Sequence, residues 1–242
     1  MGYTSKEGIG RKEGYGTLAA FYYRTKKETA IVPYVDLRLH IMDDKRLAGN
    51  VGLGFQKTDC DASTMLRGYA FFDYRNTRYR LYKQISIGAE WSGPYFNLNA
   101  NGYLPLNQSG QKKITDFRFR HLFLLEQIDN DYSFRGFDFN ASRYIYCSPW
   151  FRMYVSPGVY YYYGRRESIY GGKFRFEVEL YQSLVLSVQT SYDRLFHTRT
   201  CAAITLTLPV QEVPDLYRTV PVRREEIVVV KKKSSLKVVD RR

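Results

Sequence analysis

The sequence predicts an all-β protein, a closed antiparallel transmembrane β-barrel of about twelve strands. Alternation is the first reason. Between Arg46 and Pro105 the segments LAGNVGLGFQ, MLRGYAFFDYR, QISIGAEW and YFNLNANGYLP each carry one apolar and one polar face when read with period two. Composition is the second: 17% of the 242 residues are aromatic, with 23 Tyr and 15 Phe, an excess that suits strands and the aromatic girdles of a barrel. Third, the longest apolar runs are about six residues, far below the roughly 18 that a membrane-spanning helix needs. A barrel escapes that limit because only alternate residues meet lipid.

Residues 1–16 are glycine-rich and polar and read as a flexible N-terminal segment. Gly8, Gly10 and Gly14 would suit a phosphate-cradling loop only between a strand and a helix. Nothing precedes them and a strand pattern follows, so no such loop is assigned. No apolar h-region opens the chain. An exported protein with this opening is expected to be a fragment without its leader, or one whose start site is misplaced.

Residues 17–23 read as the first strand and 32–42 as the second, with Val35, Leu37, Leu39 and Ile41 outward and Tyr34, Asp36, Arg38 and His40 inward. Asp43, Asp44 and Lys45 make a polar turn. The third strand points Val51, Leu53 and Phe55 to lipid and Asn50 to the lumen. Beyond a polar loop at 59–63, the fourth turns Arg67, Asp73 and Arg75 inward. The fifth sets Ile85 and Ile87 against Gln84 and Glu90. After a reversal at Ser92, Gly93 and Pro94, the sixth sets Phe96 and Leu98 against Asn97, Asn99 and Asn101.

Residues 106–115 are polar and end the regular run. Residues 117–131 admit strand, helix or packed loop, because 122–125 break alternation; they are counted here as one strand. Regularity returns at 134–145, turns at Cys147 and Ser148, and continues at 151–163 and 170–181. The last of these sets Phe174, Phe176 and Val178 outward against Lys173, Arg175, Glu177 and Glu179. Segments 184–193 and 198–208 close the pattern, so the barrel is assigned to 17–209. Twelve is an even number, which places both chain ends on one side. A lumen of that size admits one extended peptide.

Residues 210–242 form a tail. Pro209, Pro214 and Pro221 favour an irregular path, and a short apolar run at 227–230 precedes three lysines. Crossing roughly 30–45 Å takes about 10–14 extended residues. The 33 residues after Pro209 therefore suffice to thread the lumen. They fall short of the roughly 50 that an independent domain needs.

Chemistry other than packing finds little support. The net charge of +13 favours polyanions or an anionic membrane surface, but the excess is spread over loops and tail rather than gathered on one face. Nucleic acid is not an expected partner. Cys60, Cys147 and Cys201 form no CxxC pair, and His40, His121 and His197 are scattered, so no metal site is assigned. A Cys60–Cys147 bridge stays open as an alternative to isolated thiols. Glu177 and Glu179 lie two apart on one strand, but no cleft gives them the separation that glycoside hydrolysis requires. No catalytic residue and no cofactor are assigned. The inward charges either pair among themselves or hold a charged linker. Trp91 and Trp150 fall at strand ends, where indole suits a membrane interface. The four tyrosines at 160–163 suit a girdle better than a stacking platform.

The run GIGRKEGYGTL, then PYVDLRLHIMDD, LAGNVGLGFQ, YAFFDYR, QISIGAEW and LNANGYLPLN, resembles the β-domain of inverse autotransporters, the intimin and invasin class. Tyr192, Asp193 and Arg194, Phe196, and TLTLP at 205–209 agree more loosely. The resemblance implies an anchor in the outer membrane of Gram-negative bacteria that guides a C-terminal passenger, adhesin-like and absent here, to the cell surface. It also implies contact with outer-membrane lipid and lipopolysaccharide, insertion by the barrel-assembly machinery, and the chain's own C-terminal linker in the lumen; no host receptor is identified. Two other readings remain: a passenger-free outer-membrane pore or structural surface protein, and a soluble basic β protein that binds carbohydrate or nucleic acid.

Overall fold

Alternation of this kind lets one face of every strand be enclosed when the sheet curls until its ends meet. In the computed structural model it does so. Residues 1–23, 31–59, 64–77, 80–107, 113–120, 123–148, 150–164, 167–181, 183–208, 224 and 227–238 are described. Among them the chain is all β. β1 (Gly2–Thr4), β2 (Tyr15–Tyr23), β3 (Ile31–Met42), β4 (Leu47–Asp59), β5 (Thr64–Asn76), β6 (Leu81–Ser92) and β7 (Phe96–Pro105) form one half of the wall. β10 (Arg135–Cys147), β11 (Phe151–Tyr163), β12 (Ser168–Leu180), β13 (Leu184–Asp193) and β14 (His197–Leu206) form the other. The order β1-β14-β13-β12-β11-β10-β7-β6-β5-β4-β3-β2 closes on itself, and every paired neighbour is antiparallel.

The barrel has twelve strands, but not the twelve that the alternation picks out. β1 belongs to the segment read as flexible: Gly2 pairs with both Thr205 and Thr17, and so closes the ring. Three residues are too few to show a period, which hides this strand in the sequence. The region counted as one strand at 117–131 instead contains a hairpin outside the wall, β8 (Lys113–Arg120) and β9 (Phe123–Ser133). The hairpin pairs with β15 (Val230–Val238) from the tail, giving a separate three-stranded sheet in the order β15-β9-β8.

Antiparallel order gives the barrel two distinct ends. Met1 lies at one of them, where its backbone meets Leu206, together with the β6–β7, β10–β11 and β12–β13 connections. We call this the terminal end. The other end, the mouth, carries the β1–β2, β3–β4, β11–β12 and β13–β14 connections and the β8–β9 hairpin. Trp91 and Trp150 both lie toward the terminal end and are exposed, with Trp150 edge-on to Tyr181 at 5.9 Å.

Inside, lumen-side glycines leave room for rings from the next strand. A Cβ on Gly52 would meet the Phe71 ring, and one on Gly171 the Tyr160 ring. Tyr160 and Tyr162 are buried while Tyr161 and Tyr163 are exposed, so the run of tyrosines divides evenly between the two faces. Cys147 is a free thiol; Cys60 and His121 lie outside the described residues.

Candidate functional site: the lumen and its mouth

The buried residues of the wall are largely polar, which a barrel interior tolerates only when each group finds a partner. Register supplies many of them. Asn50, Asp73 and Gln84 are paired in one row across β4, β5 and β6, and Gln56, Arg67 and Glu90 in another. Arg67 donates to Glu90 at 3.3 Å and to Gln56 at 3.1 Å. Arg38 forks onto Asp36, two residues away on the same face, at 2.6 and 2.9 Å. On β10 Asp138 accepts from Tyr103 at 2.6 Å, Asn140 at 2.8 Å and Asn101 at 3.1 Å, with Lys173 Nζ at 3.3 Å.

Asp73 is different because it also receives the tail. Its carboxylate accepts from Asn50 at 2.7 Å, Ser86 at 2.7 Å and Gln84 at 3.2 Å, all from the wall. Arg224 adds Nη1 at 3.0 Å and Nη2 at 2.5 Å. The same guanidinium lies 4.0 Å from the centroid of the Phe71 ring and donates to Ser86 at 2.6 Å. Beside it Asn140, Ser142, Ser156, Lys173, Arg175 and Gln189, among others, line a small pocket.

At the mouth four consecutive aliphatic residues of the tail are buried against three sectors of the wall. Ile227 packs with Tyr15, Met42 and Ala48, and Val228 and Val230 pack with Tyr82. Val229 joins Ile9, Tyr103, Phe134, Tyr160, Tyr162 and Ile169. Backbone bonds add to this: Arg75 donates to the Val228 carbonyl at 2.8 Å, and the Phe134 amide to the Val229 carbonyl at 3.2 Å. The β1–β2 loop leans in as well. Gly10 takes a left-handed φ of 66°, and a Cβ there would stand 2.7 Å from Val229 Cγ1.

The structure gives the residues singled out by the alternation these places. Asn50, Arg67, Asp73, Arg75, Gln84, Glu90, Asn99, Asn101, Lys173 and Glu177 are buried, whereas Asn97, Arg175 and Glu179 are half-buried. Val51, Leu53, Phe55, Ile85, Ile87, Phe96, Leu98 and Phe174 are exposed, and Phe176 and Val178 half-buried. Of the inward charges, Asp73 and Arg75 touch the tail. Arg67 and Lys173 bond to wall carboxylates, and Arg175 to Gln189 and Glu177. Arg224 and Phe134 are not singled out by sequence, and Gly10 is weighed there only for a phosphate loop, not for contact with the tail. The tail has no period, and the one signal it offers is the apolar run at 227–230.

No curated protein sequence matches the chain. A chain solved in a study of the mechanism behind the in-meso crystallization of membrane proteins shares the fold. The TM-score is 0.66 over 96% of this chain and 98% of that one, at 13% identity. A sequence model of the inverse autotransporter β-domain matches residues 10–173, from the left-handed Gly10 at the mouth to Lys173 beside Asp138. That match spans more than half of the chain, including the rows built on Asp36, Asp73 and Glu90, and the chain therefore belongs to the inverse autotransporter β-domain family.

Proposed function

We propose that this barrel is an outer-membrane anchor and translocator whose tail is the linker between the wall and a C-terminal passenger delivered to the cell surface. Family membership supports the outer-membrane setting, with lipid and lipopolysaccharide around the wall and the barrel-assembly machinery inserting it. One observation carries the reading. The wall ends at the terminal end with β14, whereas Arg224 lies in the lumen and residues 227–230 lie at the opposite mouth. A chain held at those points runs from one side of the membrane to the other.

The wall binds no substrate in this mechanism. Its outer face places aliphatic and aromatic side chains in hydrocarbon. Its inner face, rich in Asn, Gln, Ser and paired charges, offers a sliding peptide hydrogen bonds without a deep apolar trap. A soluble β protein would need those exposed residues packed in a core, and Leu53 and Ile87 are 63% and 62% exposed.

An epitope fused after Arg242, with the chain provided with an export leader and expressed in a Gram-negative host, tests the reading. Antibody should label intact cells. Labelling only after the outer membrane is permeabilised would place the tail in the periplasm and overturn it.

A further inference from the structure

A β-strand that slips by two residues keeps the same side chains on the same face, so apolar and backbone contacts alone leave its position along the edge poorly defined. The mouth carries a further kind of contact. Resting on the reading of the tail as a linker that slides through the lumen, we propose that the β9 edge and the Asp73 socket together form a charge-coded dock for the chain's own lysine-rich segment, which arrests the tail at one register.

The coding lies in the pairing of β15 with β9. In the backbone register Val230 pairs with Ser133 and Val238 with Leu125, which pairs Lys232 with Asp131 and Lys237 with Glu126. These are two opposite-charge positions, and opposite charges directly across an antiparallel pair stabilise it. With the tail drawn two residues further out, Lys232 would pair with Asp129 and Lys237 with Leu124, leaving one match. With the tail drawn two residues back, Lys232 would pair with Ser133 and Lys237 with Ile128, and neither match survives.

Two contacts nearer the barrel bear on the same choice, the first of them against the outward shift alone, because a shift back would put Lys233 where Lys231 stands. Lys231 Nζ donates to Glu167 of the β11–β12 connection at 2.7 Å. In the lumen the Asp73 socket holds Arg224. By sequence, a shift of two would bring Val222 or Glu226 to that point, one without charge and the other repelled by Asp73. Four charge matches over fourteen residues thus agree on one register.

The test uses the full chain folded in detergent micelles, with heat-modifiable gel mobility as the check on barrel closure. Glu126→Lys and Asp131→Lys together should speed amide exchange of residues 230–238 roughly tenfold relative to the unmodified chain. Adding Lys232→Glu and Lys237→Glu should restore the slow exchange. Unchanged exchange in the first variant, or no recovery in the second, would show that backbone pairing alone seats the strand and would overturn the dock. Conductance of the unmodified chain in planar bilayers separates this from the reading beneath it. A closed pore with unaltered exchange sinks the dock alone, whereas a freely conducting pore sinks both.

Discussion

Arg75, near the end of β5, donates Nη1 to the carbonyl oxygen of Val228 at 2.8 Å, across 153 positions of sequence. The same nitrogen donates to the Gly10 carbonyl at 3.1 Å. One guanidinium therefore needs the wall, the β1–β2 loop and the tail in place together. A buried donor left without an acceptor costs about 1–3 kcal/mol, so each of the three stabilises the arrangement of the other two.

Arg224→Ala should open the lumen without opening the barrel. It leaves Asp73 buried with neutral donors, and loss of one partner from a buried pair costs about 3–5 kcal/mol. That cost falls on the seating of the tail, because the strand ladders are untouched. We expect single-channel conductance in planar bilayers to rise several-fold while heat-modifiable mobility persists. Equal conductance in the two proteins would rule out Arg224 as an occupant of the lumen.

Gly10→Ala should loosen the mouth. The left-handed backbone costs an alanine about 1–2 kcal/mol, and the new methyl would press on Val229 Cγ1 and the Val230 amide. Amide exchange at Val230 should quicken. Gly102→Ala serves as the control, since the nearest atom to a Cβ there is 3.7 Å away, and it should leave that exchange unchanged.

Leu53→Arg reports on what surrounds the wall. For a residue 63% exposed to water the change would be near neutral. In the middle of a bilayer it costs about 2–4 kcal/mol. Equilibrium unfolding in phospholipid vesicles should show the larger loss; a change below about 0.5 kcal/mol would mean that this face is wet.

Gly52→Val and Phe71→Ala should be coupled. Valine at 52 collides with the Phe71 ring, and overpacking of this kind costs about 1–3 kcal/mol. Removing the ring vacates that space, so the double variant should lose less stability than the sum of the single changes. Simple additivity in a thermal melt of all four proteins would contradict the contact.

Much of the wall is legible in the sequence because a barrel in lipid enforces the same alternation along every strand. Asp36, Arg38 and His40 share the face that the period assigns them, and all three are buried. The same physics hides the rest. β9 follows β8 directly, with Arg120 paired to Phe123. Residues 123–125, where alternation breaks, open the second strand of that hairpin and do not continue the first. β15, VKKKSSLKV, has no lipid face to satisfy and so shows none. Arg224 finds Asp73 across 151 positions, a distance over which no local pattern carries information.

The shortest strand has a mechanical consequence. β11 and β12 are joined by thirteen residue pairs and β2 and β3 by nine, but β1 meets each of its neighbours through three. A cyclic wall is only as closed as its narrowest joint. Under load, from a bulky cargo in the lumen or from lateral tension in the bilayer, rupture should start where the short strand Gly2–Thr4 bridges the first long strand to the last.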